Sequence, residues 1–293
     1  MRKKTKRTEA KKEEVERLFA ERDSLSLRQA APIAAISMST LHKILKCDLK
    51  HKFYHTISVQ RLQETHKEQR RQFCQWLFDQ DEDLVKRVIW TDEKIFVLHQ
   101  KPHRKNDGRW SRENPRDVIE CNDRNDEKVM IFVAIVGDRV PIVHAFIDED
   151  GRRVSVDGSC YLALLKDTLW PAFRATATRH GLWWMQDGAP SHCTTEAKQF
   201  LTEKFQGRVI SRGTPIIWPA HSPDLNPLDF HFWAAAQRKV YTEQPQSIQD
   251  LIECVKLFAA NYDPTIIENM TKNVLKRARL CLEEDGGHFQ HLL

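Results

Sequence analysis

The sequence predicts an α/β domain, built as a mixed sheet with flanking helices and preceded by a small all-α module. Three observations carry this prediction. From Lys86 onward, short apolar runs alternate with segments of helical period, whereas the first 50 residues hold only short helix-period segments, the second and third behind a capping serine. Charge is divided along the chain as well. Residues 1–72 carry 18 Lys or Arg against 9 Asp or Glu, a net of +9, so the remaining 221 residues carry −4 of the overall +5. At 293 residues and 41% apolar content, the chain has room for one substantial domain and one small one. The expected divisions are 1–50 for the helical module with its basic arm, 51–82 for a linker and connecting helix, and 83–293 for the α/β domain.

The arm is MRKKTKR, Met1 to Arg7, which reads equally as a nuclear-import or phosphate-contacting segment and as a solvated tail. Lys11 to Asp23 follows as a helix with Val15, Leu18 and Phe19 on one face. Ser24 or Ser26 caps a second helix carrying Leu27, Ala30 and Ala31. Ser37 caps a third, MSTLHKILK, with Leu41, Ile44 and Leu45 inward. Three short helices in this order make a helix-turn-helix candidate. The last helix presents Ser39, Thr40, His42, Lys43 and Lys46 outward, and with the cap Ser37 these are the candidate DNA-binding residues. A small helical bundle without a nucleic-acid role is the competing reading. Pro32 falls inside the expected second helix, where it removes a backbone hydrogen bond at a typical cost of about 3 kcal/mol.

Asp48 to Ser58 reads as a polar linker, and Val59 to Asp79 as a helix whose stripe of Phe73, Trp76 and Leu77 is packing. In RVIWTDEKIFVL, Arg87 to Leu98, an apolar strand meets an acidic break at Asp92-Glu93 and a second strand follows, so Asp92 is expected at a strand end. His99 to Asp126 is polar and basic, with Arg104, Lys105, Arg109, Trp110, Arg112 and Arg116. Lys128 to Val136 and Val140 to Ile147 are strands. Ser159 to Thr176 is a helix with Leu162, Leu165 and Leu169 inward. In LWWMQDGAPSH, Leu182 to His192, a buried strand delivers Asp187 at its C-terminal end, the edge where open α/β sheets place their chemistry. Thr194 to Phe205 is the next helix, and Val209 to Trp218 leads to WPAHSPDLNPLDFHFW. There Asn226 caps a helix, Pro227 stands in its first turn and Asp229 lies one turn inside. Ser247 to Asn261 and Pro264 to Leu282 close the chain as two helices. His192 is weighed as a residue that orients a metal ligand, but a hydrogen-bonded histidine at a helix end is favoured. The pair Trp183-Trp184 is read as core rather than as a stacking platform.

Two carboxylates on strands and one on a helix can converge, and clustered carboxylates repel unless cations sit among them. Divalent ions held between such groups can activate an attacking oxygen and stabilise the leaving oxygen of a phosphodiester. Seven scattered cysteines without a CxxC pair argue against a zinc finger and a disulfide framework. The longest apolar run, Val129 to Val136, is far too short to span a bilayer, and no membrane partner is expected.

Taken together, WTDE, QDGAPSH and SPDLNPLDFHFW resemble the catalytic signature of the mariner transposon superfamily of DNA transposases. The resemblance implies an RNase H-like catalytic domain, and the βββαβα order agrees. It places the acidic triad on Asp92, Asp187 and Asp229 as catalytic and metal-binding residues. SPDLNP is similar to the branch whose triad ends in Glu, whereas Asp229 followed by Phe230-His231-Phe232 is similar to the branch ending in Asp. The 42 positions from Asp187 to Asp229 fit a less common subgroup. Asp224 is a rival third acid, but it lies in the loop before Pro227, and Asp229 is preferred. LRQAAPIAAISMSTLHKIL resembles the DNA-binding repeat of the same superfamily, with Ala35 where a Gly is usual.

The family usually carries two such modules, and this chain has room for one. Either a single-module subgroup or a chain shortened at its N-terminus is implied. The resemblance further implies two Mg²⁺ (or Mn²⁺) ions as cofactors and hydrolysis at transposon ends, followed by attack of the freed 3′ hydroxyl on a TA target. Transposon terminal inverted repeats and target DNA are the expected partners, with a homodimer as the active form and the nucleus as its place. The basic loop at 99–126 would contact DNA or the partner subunit, an ordinary solvated excursion being the equal alternative. A transposase-derived or decayed DNA-binding protein without transposition activity is the second reading, favoured by Pro32 and the single module and opposed by the intact triad. A non-specific nuclease leaves the helical module unexplained.

Overall fold

The computed structural model describes residues 7–22, 25–52, 59–98, 127–137, 139–177 and 181–293. The chain forms two compact units, residues Met1–Ser58 and Val59–Leu293.

The first unit holds three helices, α1 (Glu9–Glu21), α2 (Leu27–Ile33) and α3 (Met38–Lys43), the last running on through a π-helical turn at Ile44–Asp48. Each begins at a hydroxyl cap that accepts from a first-turn amide: Thr8 from Lys11, Ser26 from Gln29 and Ser37 from Thr40. Gln29 also reaches back to the Ser26 amide, completing a capping box. Val15, Ala30, Ala31, Ala34, Ile36, Leu41 and Ile44 are buried together, and Leu18, Phe19 and Leu45 pack at the margin. Pro32 lies inside α2, one residue from its end, so the helix stops soon after the missing donor. The turn that follows requires Ala35 at φ 49°, a left-handed backbone that suits glycine. Arg7 and Asp48 are ion-paired, joining the segment before α1 to the end of α3, with Arg7 Nε 2.8 Å from Asp48 Oδ2.

The second unit opens with α4 (Glu64–Phe78) and the single turn α5 (Leu84–Arg87), and then builds a five-stranded sheet. Its strands are β1 (Val88–Val97), β2 (Lys128–Ile135), β3 (Ile142–Ala145), β4 (Trp183–Met185) and β5 (Val209–Ile210), in spatial order β3-β2-β1-β4-β5. The first three pair antiparallel, and β4 and β5 add in parallel beyond β1. Between β3 and β4 the chain forms α6 (Gly158–Ala163) and α7 (Trp170–Ala177), bridged by a π-helical stretch at Leu164–Leu169. Then come α8 (Thr195–Lys204), α9 (Trp233–Thr242), α10 (Ile248–Ala260) and α11 (Pro264–Glu283). This is the mixed sheet with flanking helices that the sequence predicts.

Alternation along the strands divides the core into two layers. Trp90, Ile131, Val133 and Ile135 face a cluster made with α4, α9, α10 and α11, while Ile89, Phe132 and Ala134 face one made with α6, α7 and α8. Phe73 and Leu77 of α4 are core, and Trp76 stacks edge-on against Trp183 at 5.1 Å, so both tryptophans of the Trp183-Trp184 pair are packing residues. On the long helix between β3 and β4, Tyr161 and Leu164 join Leu165 and Leu169 in the core while Leu162 is only half-buried; the π-helical stretch shifts the inward face from the simple period.

One expectation is corrected. β1 is a single continuous strand from Val88 to Val97, and Asp92 lies in its middle, not at a strand end. What ends near Asp92 is the parallel pairing with β4, whose last partners are Trp90 and Met185. Beyond that point one edge of β1 is open, while β2 still pairs with it along its whole remaining length. The basic stretch with Arg104, Lys105, Arg109, Trp110, Arg112 and Arg116, most of the arm at 1–7 and linker residues 53–58 lie outside the described residues.

Candidate active site

The open edge of β1 is where the three acidic motifs meet. Thr91 donates its hydroxyl to the Met185 carbonyl at 2.6 Å, joining the first motif to the end of β4. Asn226 donates its side-chain amide to the Thr91 carbonyl at 3.3 Å and accepts from the Leu228 amide at 3.2 Å, fastening the third motif to the first while capping its own helix. From Leu228 to Phe232 that helix is a π-helical turn, an irregular stretch often found at functional sites, which then continues as α9. Trp233, the first residue of α9, donates its indole N–H to Asp92 Oδ2 at 2.6 Å.

Asp92 and Asp229 act on each other through their charges, and like charges brought together resist ionisation. Burial and the charge of Asp229 hold the Asp92 carboxyl well above the usual range, against the opposing pull of Trp233. Asp229 keeps an exposed edge, yet desolvation of its carboxyl by the protein around it pushes it up to about 6, with the charge of Lys94 working the other way. Asp187 lies within electrostatic reach of both. Its own carboxyl falls below the usual range, because the hydrogen bond and charge of His192 outweigh the effect of burial.

The surroundings of Asp187 are specific. Its Oδ1 accepts from the Ala189 amide at 3.0 Å and meets His192 Nδ1 at 2.7 Å. The other nitrogen of that ring, Nε2, meets Glu93 Oε1 at 3.0 Å, and the ring lies against Tyr161 with centroids 4.2 Å apart. Burial lowers the His192 pKa, but the two carboxylates more than compensate and raise it to about 10. Next to Asp187, Gln186 is buried and fully satisfied: its oxygen accepts from Tyr161 and Trp184, and its nitrogen donates to the His192 carbonyl and to Ser211.

Asp224, the rival third acid, is occupied elsewhere. Both of its oxygens take the Arg70 guanidinium at 2.7 Å, with side chains 2% and 0% exposed, and Arg70 also donates to Ser222 and to the Gly286 and Gly287 carbonyls. Sequence reasoning did not reach Arg70, Trp233 as an orienting donor, or Glu93. The partners of Arg70 and Trp233 lie more than 140 positions away and that of Glu93 lies 99 away, and no local pattern signals them.

The donors present suit a hard divalent cation. They are carboxylate oxygens, and Asp92 and Asp187 each have one oxygen tied to the fold. Among the described residues, no three His, Cys, Asp or Glu side chains approach closely enough to hold one ion in common. The six described cysteines are free thiols. In the first unit, Ser39, His42, Lys43 and Lys46 are exposed and Thr40 is half-buried, while Ser37 is the exposed cap whose hydroxyl contacts those of Ser39 and Thr40 at 3.0 and 2.9 Å.

Solved structures share this architecture. The Mos1 mariner paired-end complex with Mn matches with a TM-score of 0.73 at 19% identity, over 95% of this chain and 79% of that one. The isolated catalytic domain of Mos1 mariner transposase matches at 0.60 and 18% identity, over 80% of this chain and all of that one. The chain has the fold of a mariner transposase. In sequence, it is 20% identical over 132 residues to the Tcb1 transposase of Caenorhabditis briggsae and 24% identical over 144 residues to the Tcb2 transposase of the same organism. The matched stretches span just under half of this chain and of each relative, 45% to 47% of their length. No protein-family model matches the chain. Within that fold, the segments carrying Asp92, Asp187 and Asp229 are joined where β1 and β4 part.

Proposed function

We propose that this protein is a metal-dependent DNA transposase of the cut-and-paste type, with Asp92, Asp187 and Asp229 as its catalytic acids. The observation that carries the reading is the meeting of the three acidic motifs at one sheet edge, where Thr91 binds the Met185 carbonyl, Asn226 binds the Thr91 carbonyl and Trp233 binds Asp92. Solved Mos1 structures are complexes with Mn or with Mg, with a transposon end, and of strand transfer, and both sequence relatives are transposases. Two divalent cations, Mg²⁺ or Mn²⁺, held by these carboxylates would supply Lewis-acid activation of an attacking oxygen and charge neutralisation at a phosphodiester.

The chain's own residues supply the rest. Trp233 orients Asp92, His192 and the Ala189 amide orient Asp187, and the helix cap at Asn226 sets Asp229. The exposed face of α3, with Ser39, His42, Lys43 and Lys46, would take transposon-end DNA, and a homodimer would pair two ends in the nucleus. No described helix is long and apolar enough to cross a membrane.

The test is cleavage of labelled DNA carrying the terminal repeat that flanks the gene, with Mg²⁺ or Mn²⁺, by this chain and by its Asp187→Asn variant. Metal-dependent nicking at the repeat boundary is expected from the parent, with a loss of at least about 10³-fold in the variant and DNA binding retained. Cleavage surviving in Asp187→Asn would overturn the triad. Binding without cleavage by the parent would mark a DNA-binding derivative instead.

A further inference from the structure

We propose that Glu93 is a positioning residue, which through His192 fixes Asp187 so that one of its oxygens faces the metal site. The proposal rests on the metal-binding reading above and assigns a residue outside the triad.

Asp187 needs such a device. It lies two residues past Met185, the last residue of β4, and its side chain is 51% exposed, so neither packing nor the ladder restricts its rotamer. What restricts it is the pair of donors on Oδ1, the Ala189 amide and His192 Nδ1. The His192 ring is set in turn by Tyr161 against its face and by Glu93 at Nε2, and the His192 and Glu93 side chains are only 4% and 14% exposed. The clamp thus runs from β1, one residue past Asp92, to the end of β4, crossing the gap where the two strands stop pairing. With Oδ1 held on this side, Oδ2 is the oxygen left for a cation. A carboxylate–histidine pair behind a metal ligand usually contributes 10- to 100-fold to metal affinity.

The test uses the full chain and Mn²⁺ alone, with free Mn²⁺ read by electron paramagnetic resonance and folding checked by thermal melting. Glu93→Ala is expected to weaken Mn²⁺ binding at least about tenfold. Glu93→Gln should stay within about threefold of the parent, because its amide can accept from or donate to His192 Nε2 whichever proton the ring carries. Asp187→Ala should weaken binding at least as much as Glu93→Ala. Parent-like affinity in a folded Glu93→Ala protein, with Asp187→Ala weakened, would overturn the proposal and leave the triad intact. Unchanged affinity in Asp187→Ala as well would remove the metal reading itself. If Glu93→Ala does not fold, His192→Ala opens the same clamp at its middle, and parent-like affinity there overturns the proposal equally.

Discussion

Single residues decide more here than their exposure suggests, and Ala35 is the plainest case. It holds φ 49° in the turn between α2 and α3, a backbone that costs an L-residue about 1–2 kcal/mol. Glycine would remove that strain while costing about 0.5–1 kcal/mol more in unfolded-chain entropy. Ala35→Gly is therefore expected to stabilise the first unit by about 0.5–1 kcal/mol, slowing hydrogen exchange of the α3 amides in the full chain about two- to fivefold. Exchange that became faster would show that the turn is not strained by its side chain. Position 35 stood out through the resemblance, which has Gly there, and the sequence offered Ser24 or Ser26 and Ser37 as caps, of which Ser26 and Ser37 serve. Asp187 was legible for a similar reason, because a fully apolar run stopping at Gln-Asp-Gly admits few structures. Glu93 was not, because its meaning lies in a ring nitrogen 99 positions away.

Elements are held in place by polar contacts that cross between them, and the strongest of these joins α4, the loop before α9 and the turn after α11. Arg70 on α4 is the centre of this junction, with Asp224 bidentate and the Gly286 and Gly287 carbonyls as further acceptors, and Arg71, Arg277 and Gln290 add bonds around it. A buried ion pair gives little net stability over an apolar pair, but removing one partner strands the other charge. Arg70→Ala is expected to cost about 3–5 kcal/mol by chemical denaturation, and Arg70→Met combined with Asp224→Leu to recover most of it. A loss under about 1 kcal/mol in the single variant would mean that water or the Gln290 amide, already 3.3 Å from Oδ2, takes over the charge of Asp224. At this scale the sequence showed most of the helices and strands, though not the short α5 and β5, and not how the acidic motifs are joined. β1 read as two strands because Asp92-Glu93 interrupts an apolar run, and the pairing that resolves it, β2 continuing where β4 stops, is set by residues far along the chain. The π-helical turns at Leu164–Leu169 and Leu228–Phe232 leave no composition signal either.

Across the whole molecule, charge divides the work. The basic excess of the first 72 residues and the acidic excess of the rest suit two different demands of one polyanion: phosphates attract the first, and the carboxylates of the second need cations before any phosphate can approach. If α3 supplies phosphate contacts, the salt dependence of DNA binding must belong to it and not to the acidic site. Each neutralised phosphate contributes about 0.9 to the slope of log K against log salt. Lys43→Ala with Lys46→Ala should therefore lower the slope by about 2 on terminal-repeat DNA, measured by fluorescence anisotropy between about 50 and 200 mM salt, and weaken binding to all sequences alike. Asp187→Asn should leave the slope at the parent value. An unchanged slope in the double lysine variant would take α3 off the phosphates, and the basic excess would then have to act through other residues of the first 72. A changed slope in Asp187→Asn would mean that the acidic edge contributes to binding itself, so that loss of cleavage in that variant could no longer be read as chemistry alone.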